Sequence, residues 1–90
     1  MAYRVEIRPS ARRQMKKLPR EVQGRIIARL TALADDPRPA GAELIQGKEG
    51  VYRVRLGQYR LLYQVEDAVL KILVVRVAHR KEVYQHMDRI

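Results

Sequence analysis

The run Val51–Tyr63 constrains this chain more than any other stretch, because its pattern fits a tight β-hairpin and little else. Side chains alternate between the two faces of a strand. Arg53 and Arg55 therefore share one face, and Tyr52, Val54 and Leu56 share the other. Gly57-Gln58 is a two-residue turn signal between the two halves. Such a turn sets Leu56 opposite Tyr59 and Arg55 opposite Arg60, so that Arg53, Arg55 and Arg60 all point the same way. Like charges that face each other across paired strands are destabilising. A chain that accepts this cost is expected to bring an anion to that face. A second basic run, Arg76–Tyr84, carries Arg80, Lys81, His79 and Tyr84.

Charge supports the same expectation. The 90 residues carry 19 Lys and Arg against 10 Asp and Glu, a net charge of +9. This balance points to nucleic acid, a phosphate-rich assembly or an acidic protein as partner. There is no Cys, which excludes a disulfide framework, a thiolate metal site and a thiol nucleophile. Neither a signal peptide nor a membrane span is expected, so the reading is a cytoplasmic protein with no membrane partner. Trp and Phe are absent, so stacking on bases falls to Tyr, His or Arg planes.

The rest of the chain reads as a single domain over residues 1–90. Tyr3–Ile7 alternates as a half-buried strand does. Pro9-Ser10 opens a helix with Ala11, Met15 and Leu18 on one face, and Pro19 divides it from the next. Val22, Ile26, Leu30 and Leu33 then follow a helical spacing up to Asp35-Asp36-Pro37. Residues 37–50 hold two Pro and three Gly and read as a loop. After the hairpin, a turn at Glu66-Asp67 leads to a strand over Val69–Val77. A short helix from about Glu82 would carry Val83, Met87 and Ile90 on one face. The expected fold is α+β in the order β-α-α-β-β-β-α, a helical hairpin packed on one face of a mainly antiparallel four-stranded sheet. The helices claim the face of Tyr52, Val54, Leu56, Leu61 and Tyr63, which leaves the arginines on the open side. His79, Arg80 and Tyr84 lie where the chain leaves the sheet and would fold back over that face. Parity through the Glu66-Asp67 turn is open, so the facing of Arg76 is not assigned.

The signature Tyr52–Tyr63, followed by Arg76–Tyr84, resembles the RelE/ParE superfamily of bacterial toxins, and the element order extends the likeness over nearly the whole chain. The resemblance implies a RelE-like toxin of a type II toxin–antitoxin system, held inactive by an acidic cognate antitoxin. RelE-like members enter the ribosomal A site and cut the bound mRNA. ParE-like members share the fold but poison DNA gyrase, which is the alternative. By similarity Arg60 holds the scissile phosphate, Arg80 neutralises the leaving-group side, and Tyr84 stacks on or orients the base. Arg53, Arg55 and Lys81 complete a phosphate-binding set, with ribosome and mRNA as partners. No metal and no small-molecule cofactor is implied.

Metal-independent cleavage by 2′-OH attack needs a base, charge stabilisation and an acid. Arginine forks suit phosphate oxygens. Arg53 and Arg55 stand where the best-known RelE-like toxins have lysines, and arginine is too basic to serve as a general base. His79 is the one side chain of the two motifs whose type titrates near neutral pH. Its alternative role is to order the turn after the strand through a backbone hydrogen bond. Glu82 is a second candidate base, or else starts the last helix or pairs with Arg80. Ribosomal RNA is a third source of proton transfer, in line with the weak action of these toxins on free RNA. His86 reads as a surface residue. Arg12, Arg13, Lys16, Lys17 and Arg20 form a solvated outer face or a contact with ribosomal RNA. A third class stays open: a basic module that only docks an acidic antitoxin.

Overall fold

A computed structural model describes residues 2–90. Its regular elements are β1 (Arg4–Ile7), α1 (Pro9–Lys16), α2 (Arg20–Asp35), β2 (Glu43–Leu44), β3 (Val51–Leu56), β4 (Tyr59–Glu66) and β5 (Lys71–His79). Short 3₁₀ turns cover Asp67–Val69 and Met87–Arg89. The strands form one sheet in the order β1-β5-β4-β3-β2. β1 runs parallel to β5, and the other neighbours are antiparallel. Among the described residues no helix is long and apolar enough to cross a membrane.

The hairpin register is the one expected: Arg55 pairs with Arg60 and Leu56 with Tyr59. Gly57 takes φ +61°, which a β-carbon disfavours. A side chain there would also meet the Arg25 guanidinium at 3.2 Å. The helical hairpin buries Ala11, Met15, Ile26, Leu30 and Leu33 against Val54, Leu56, Leu61, Tyr63, Val65, Ile72, Val74 and Val77. Each fully buried aliphatic side chain contributes about 1.5–3 kcal/mol relative to exposure. Tyr63 lies wholly inside, and its hydroxyl donates to the Pro37 carbonyl at 2.7 Å. Burial pushes its phenol up to about 12.

Three expectations are corrected. The sheet has five strands, not four, because Glu43 and Leu44 leave the 37–50 loop to pair with Arg53 and Tyr52. Two residues are too few to show alternation, and what draws them in is the edge of β3 away from β4, together with the Glu43–Arg53 ion pair. The last β-strand starts at Lys71 and ends at His79, not at Val69 and Val77, because a 3₁₀ turn and a left-handed Leu70 (φ 50°) occupy the corner. The final helix does not form. Residues 80–86 are turns and only Met87–Arg89 is 3₁₀. One cause is the Arg76 guanidinium, which donates to the carbonyls of Val83, Gln85 and His86. In an α-helix those oxygens would accept from the amides four residues on. His86 adds a break, with φ 54°.

The facing of Arg76 is now settled. Tyr63 pairs with Val74 but Leu62 pairs with Arg76, so Val75 is an extra residue in β5. The bulge lets Val74 and Val77 both reach the helices. Val75 turns to the opposite face, where Val51, Leu62 and Val83 form a second apolar cluster flanked by Met87 and Ile90. The side away from the helices is therefore partly covered, not wholly open.

The 37–50 loop is tied down by a polar network. Arg38 donates to both Asp67 oxygens at 3.1 and 2.7 Å and to the Tyr52 hydroxyl at 2.9 Å, and the Tyr3 hydroxyl donates to Asp67 at 2.6 Å. Arg38 first, then Tyr3, holds the Asp67 carboxyl below its ordinary range. A depressed carboxyl contributes stability that is present above its unfolded pKa and lost as pH falls through the folded one. Acid titration of the melting temperature should show this loss, and Asp67→Asn should flatten it. Identical acid limbs in the two proteins would remove the network from the stability account.

Candidate functional site

The sheet face away from α1 and α2 is ordered in rows by the strand register. One row carries Arg55, Arg60 and Ala78 across β3, β4 and β5. The next carries Glu43, Arg53, Leu62 and Arg76 across β2 to β5. Leu62 is the apolar floor on which Val83 rests. This packing pulls the chain after β5 back over the sheet and sets Tyr84 above Arg53.

The structure brings Arg53 and Tyr84 into direct contact: Arg53 Nη1 donates to the Tyr84 hydroxyl at 3.0 Å. Arg53 Nη2 pairs with the Glu43 carboxylate, and Nε is buried with no partner. The Tyr84 hydroxyl, ahead of Glu43, raises the pKa of Arg53. Arg53 is thus a largely enclosed cation whose two outer nitrogens are committed, and it orients Tyr84, whose ring stays exposed.

Arg55 is exposed, and Arg60 is half-buried. Arg60 Nη1 donates to the carbonyls of Gly57 and Tyr59, both at 2.9 Å. Two neutral carbonyls orient the guanidinium without cancelling its charge, and Nη2 and Nε are left for an anion. Arg55 and Arg60 are cross-strand partners of like charge, a cost that a phosphate between them would relieve.

Arg80 and Lys81 are exposed at the end of β5. The Arg80 amide donates to the Gln58 carbonyl at 2.8 Å, which ties this corner to the hairpin turn beside Arg60. His79 pairs with Tyr59 across the strands, its ring edge-on at 5.8 Å. It therefore stands on the helix side of the sheet with Tyr59, not over the Arg60 face as expected from the sequence, because alternation along β5 puts Ala78, not His79, beside Arg60. His79 Nδ1 accepts from the Lys81 amide at 3.2 Å. The neutral ring therefore carries its proton on Nε2 and presents a donor. Taking up a proton at Nδ1 would break the turn hydrogen bond. Glu82 is exposed, and its amide, like that of Val83, donates to the His79 carbonyl.

Sequence reasoning missed Glu43, which sits in a segment with no strand signal. It also left out Arg76, although the Arg76–Tyr84 run contains it, because its facing depends on a bulge.

Comparison with known proteins adds to this geometry. The family described as the ParE toxin of type II toxin–antitoxin systems matches residues 5–84. Toxin RelG of Mycobacterium tuberculosis is 31% identical over 94% of this chain and 99% of its own length. Among solved structures, the toxin–antitoxin complex RelBE2 of the same organism superposes with a TM-score of 0.78 at 29% identity, covering 89% of this chain and 100% of that one. The archaeal RelE–RelB complex of Pyrococcus horikoshii gives a TM-score of 0.80 at 26% identity, covering 92% of this chain and 100% of that one.

Proposed function

Since the chain belongs to the ParE toxin family within the RelE/ParE superfamily, and is thus a toxin of a type II toxin–antitoxin system, we propose that it is a ribosome-dependent endoribonuclease that cuts mRNA in the A site. The single observation that carries this reading is the Arg55–Arg60 pair. Arg60 is oriented by two carbonyls, is paired with no acid among the described residues, and stands beside the Arg80 corner.

In the proposed reaction the ribose 2′-oxygen attacks the adjacent phosphorus, the P–O5′ bond breaks, and the 5′-oxygen leaves with a proton. Arg60, with Arg55, holds the non-bridging oxygens where charge develops. Electrostatic stabilisation of this kind is usually the largest catalytic effect. Arg80, with Lys81, lies toward the leaving group, and Tyr84, braced by Arg53, stacks on or orients a base. The 5′-oxygen takes its proton from ribosomal RNA or water, while His79, beside Tyr59 and accepting from the Lys81 amide, orders the turn that presents Arg80. The 2′-OH proton goes to Glu82 or to ribosomal RNA.

Primer extension on mRNA from cells expressing the chain tests this reading. New 5′ ends in register with codons are expected. Purified protein on programmed ribosomes should give superimposable single-turnover pH profiles for the parent and His79→Gln, since His79 stands on the face opposite Arg60. A profile that His79→Gln flattens would instead make His79 a proton carrier.

The family match itself favours a second reading, a gyrase poison. In that case the chain arrests DNA supercoiling, leaves no codon-registered ends, and stays toxic as Arg60→Ala.

The partner proposed under either reading is an acidic antitoxin, since the similar solved structures are RelB–RelE complexes. A net charge of +9 speeds encounter with such a partner, and apolar anchors against the helical hairpin and sheet edge hold it.

A further inference from the structure

A cleft of about 390 Å³ opens beside the row of Arg55 and Arg60, between the start of α1, β5 and the C-terminal turns. It begins at Ala78, the residue directly opposite Arg60, so one strand spacing of about 4.8 Å separates it from the Arg60 strand. Three arginines, Arg8, Arg76 and Arg89, line it against one acidic side chain, Glu82. They come from three separate places in the sequence.

Among the described residues no salt bridge neutralises this cluster. Arg76 is held by carbonyl oxygens of Val83, Gln85 and His86, which satisfy its N–H groups and leave its charge. Burial first, then Arg8 and Arg89, lowers the pKa of Arg76, with Asp88 as the one opposing charge, so Arg8 and Arg89 each repel Arg76 across the cleft. Among the described residues Arg8 and Arg89 form no ion pair. The start of α1 adds to the positive potential: Pro9 has no N–H, no side chain caps the helix, and its first turn has no acid. Ser10 and Gln14 bring neutral hydrogen-bonding groups to the wall. Gln14 Oε1 already accepts from the Val77 amide at 2.9 Å, so its amide nitrogen is the free end. Repelling cations in a polar cleft become favourable when an anion enters.

We propose that the Arg8–Arg76–Arg89 cleft is a second phosphate subsite, which binds a backbone phosphate of the RNA strand next to the one held by Arg60. The subsite rests on the nuclease reading for its substrate and extends it: the strand would cross β4 and β5 from Arg60 toward α1. One wall is the C-terminal segment, so the subsite exists only while that segment is docked. A partner that lifted residues 80–90 would dismantle it without touching Arg60.

The test is titration of the purified chain with a 2′-O-methylated uridine trinucleotide, which cannot be cut, followed by amide and arginine side-chain NMR and by affinity at several salt concentrations. Amides of residues 10–14 and 75–78 are expected to shift and saturate. R8Q/R89Q should lose those shifts, weaken binding about tenfold, and reduce the slope of log affinity against log salt by about 0.7, the value for one phosphate of a single strand. R8K/R89K should keep most of the affinity, and a melting curve shared by both variants confirms the fold. R60Q should bind more weakly but still shift residues 10–14. Equal affinity and equal slope for R8Q/R89Q and the parent would overturn the proposal. So would saturation of the same amides by a glutamate-rich peptide with the trinucleotide leaving them unmoved, which would assign the cleft to an acidic protein. If the parent yields no codon-registered mRNA ends yet the trinucleotide fills the cleft, the nuclease reading falls and the phosphate site stands.

Discussion

Arg60→Ala is expected to slow single-turnover cleavage of ribosome-bound mRNA by ~10²–10³-fold, the usual cost of removing one oriented donor from a developing charge. The fold should survive. Arg60 is only half-buried, and its own hydrogen bonds go to the Gly57 and Tyr59 carbonyls at the hairpin turn, where water can replace it. Melting should therefore move by only a few degrees. Arg60→Lys should fall between parent and alanine, since a lysine keeps the charge but loses the fork. The mechanism proposed above fails if Arg60→Ala cuts as fast as the parent.

Val83→Asp is expected to release the whole C-terminal segment while leaving the rest of the sheet intact. Val83 is completely buried against Leu62, Val51 and Val75, and burying an unpaired carboxylate there costs several kcal/mol. Apart from Val83, Met87 and Ile90 anchor the segment at the cluster's edge, with the bonds from Arg76 and the bond from Arg53 to Tyr84. Detaching the segment is therefore cheaper than unfolding. Hydrogen exchange should show protection lost at the amides of Val83, Gln85, Arg89 and Ile90 and kept along β3 and β4. Cleavage should drop with it, because Tyr84 leaves Arg53. Retained protection over residues 82–90 would show that the bonds from Arg76 and Arg53 suffice to hold the segment. Loss of protection everywhere would show that the segment is integral to the domain core.

The same contrast separates what local pattern conveyed from what it did not. The helical hairpin and the arginine hairpin were legible because each obeys a short period. Val22, Ile26, Leu30 and Leu33 repeat as a helix face does, and a Gly-led two-residue turn leaves Arg55 no partner but Arg60. The final helix misled for the same reason. Val83, Met87 and Ile90 have helical spacing, and they do converge on one cluster, yet turns bring them there. Carbonyl oxygens that a helix would have used are taken by Arg76, which lies outside the segment.

The candidate site divides in the same way. By itself the sequence determined which cations share the β3–β4 face, because alternation and a two-residue turn are local constraints on every residue between 51 and 63. It also determined the excess positive charge, and through its motifs the toxin superfamily. Only the tertiary structure decided how those cations are partnered. Glu43 reaches Arg53 across a strand two residues long. One extra residue at Val75 turns Arg76 onto the far face. Arg8 and Arg89, from opposite ends of the chain, then meet it in one cleft. These contacts join residues tens of positions apart. Their energies depend on a bulge, a register and a docked tail that no periodicity of the chain encodes.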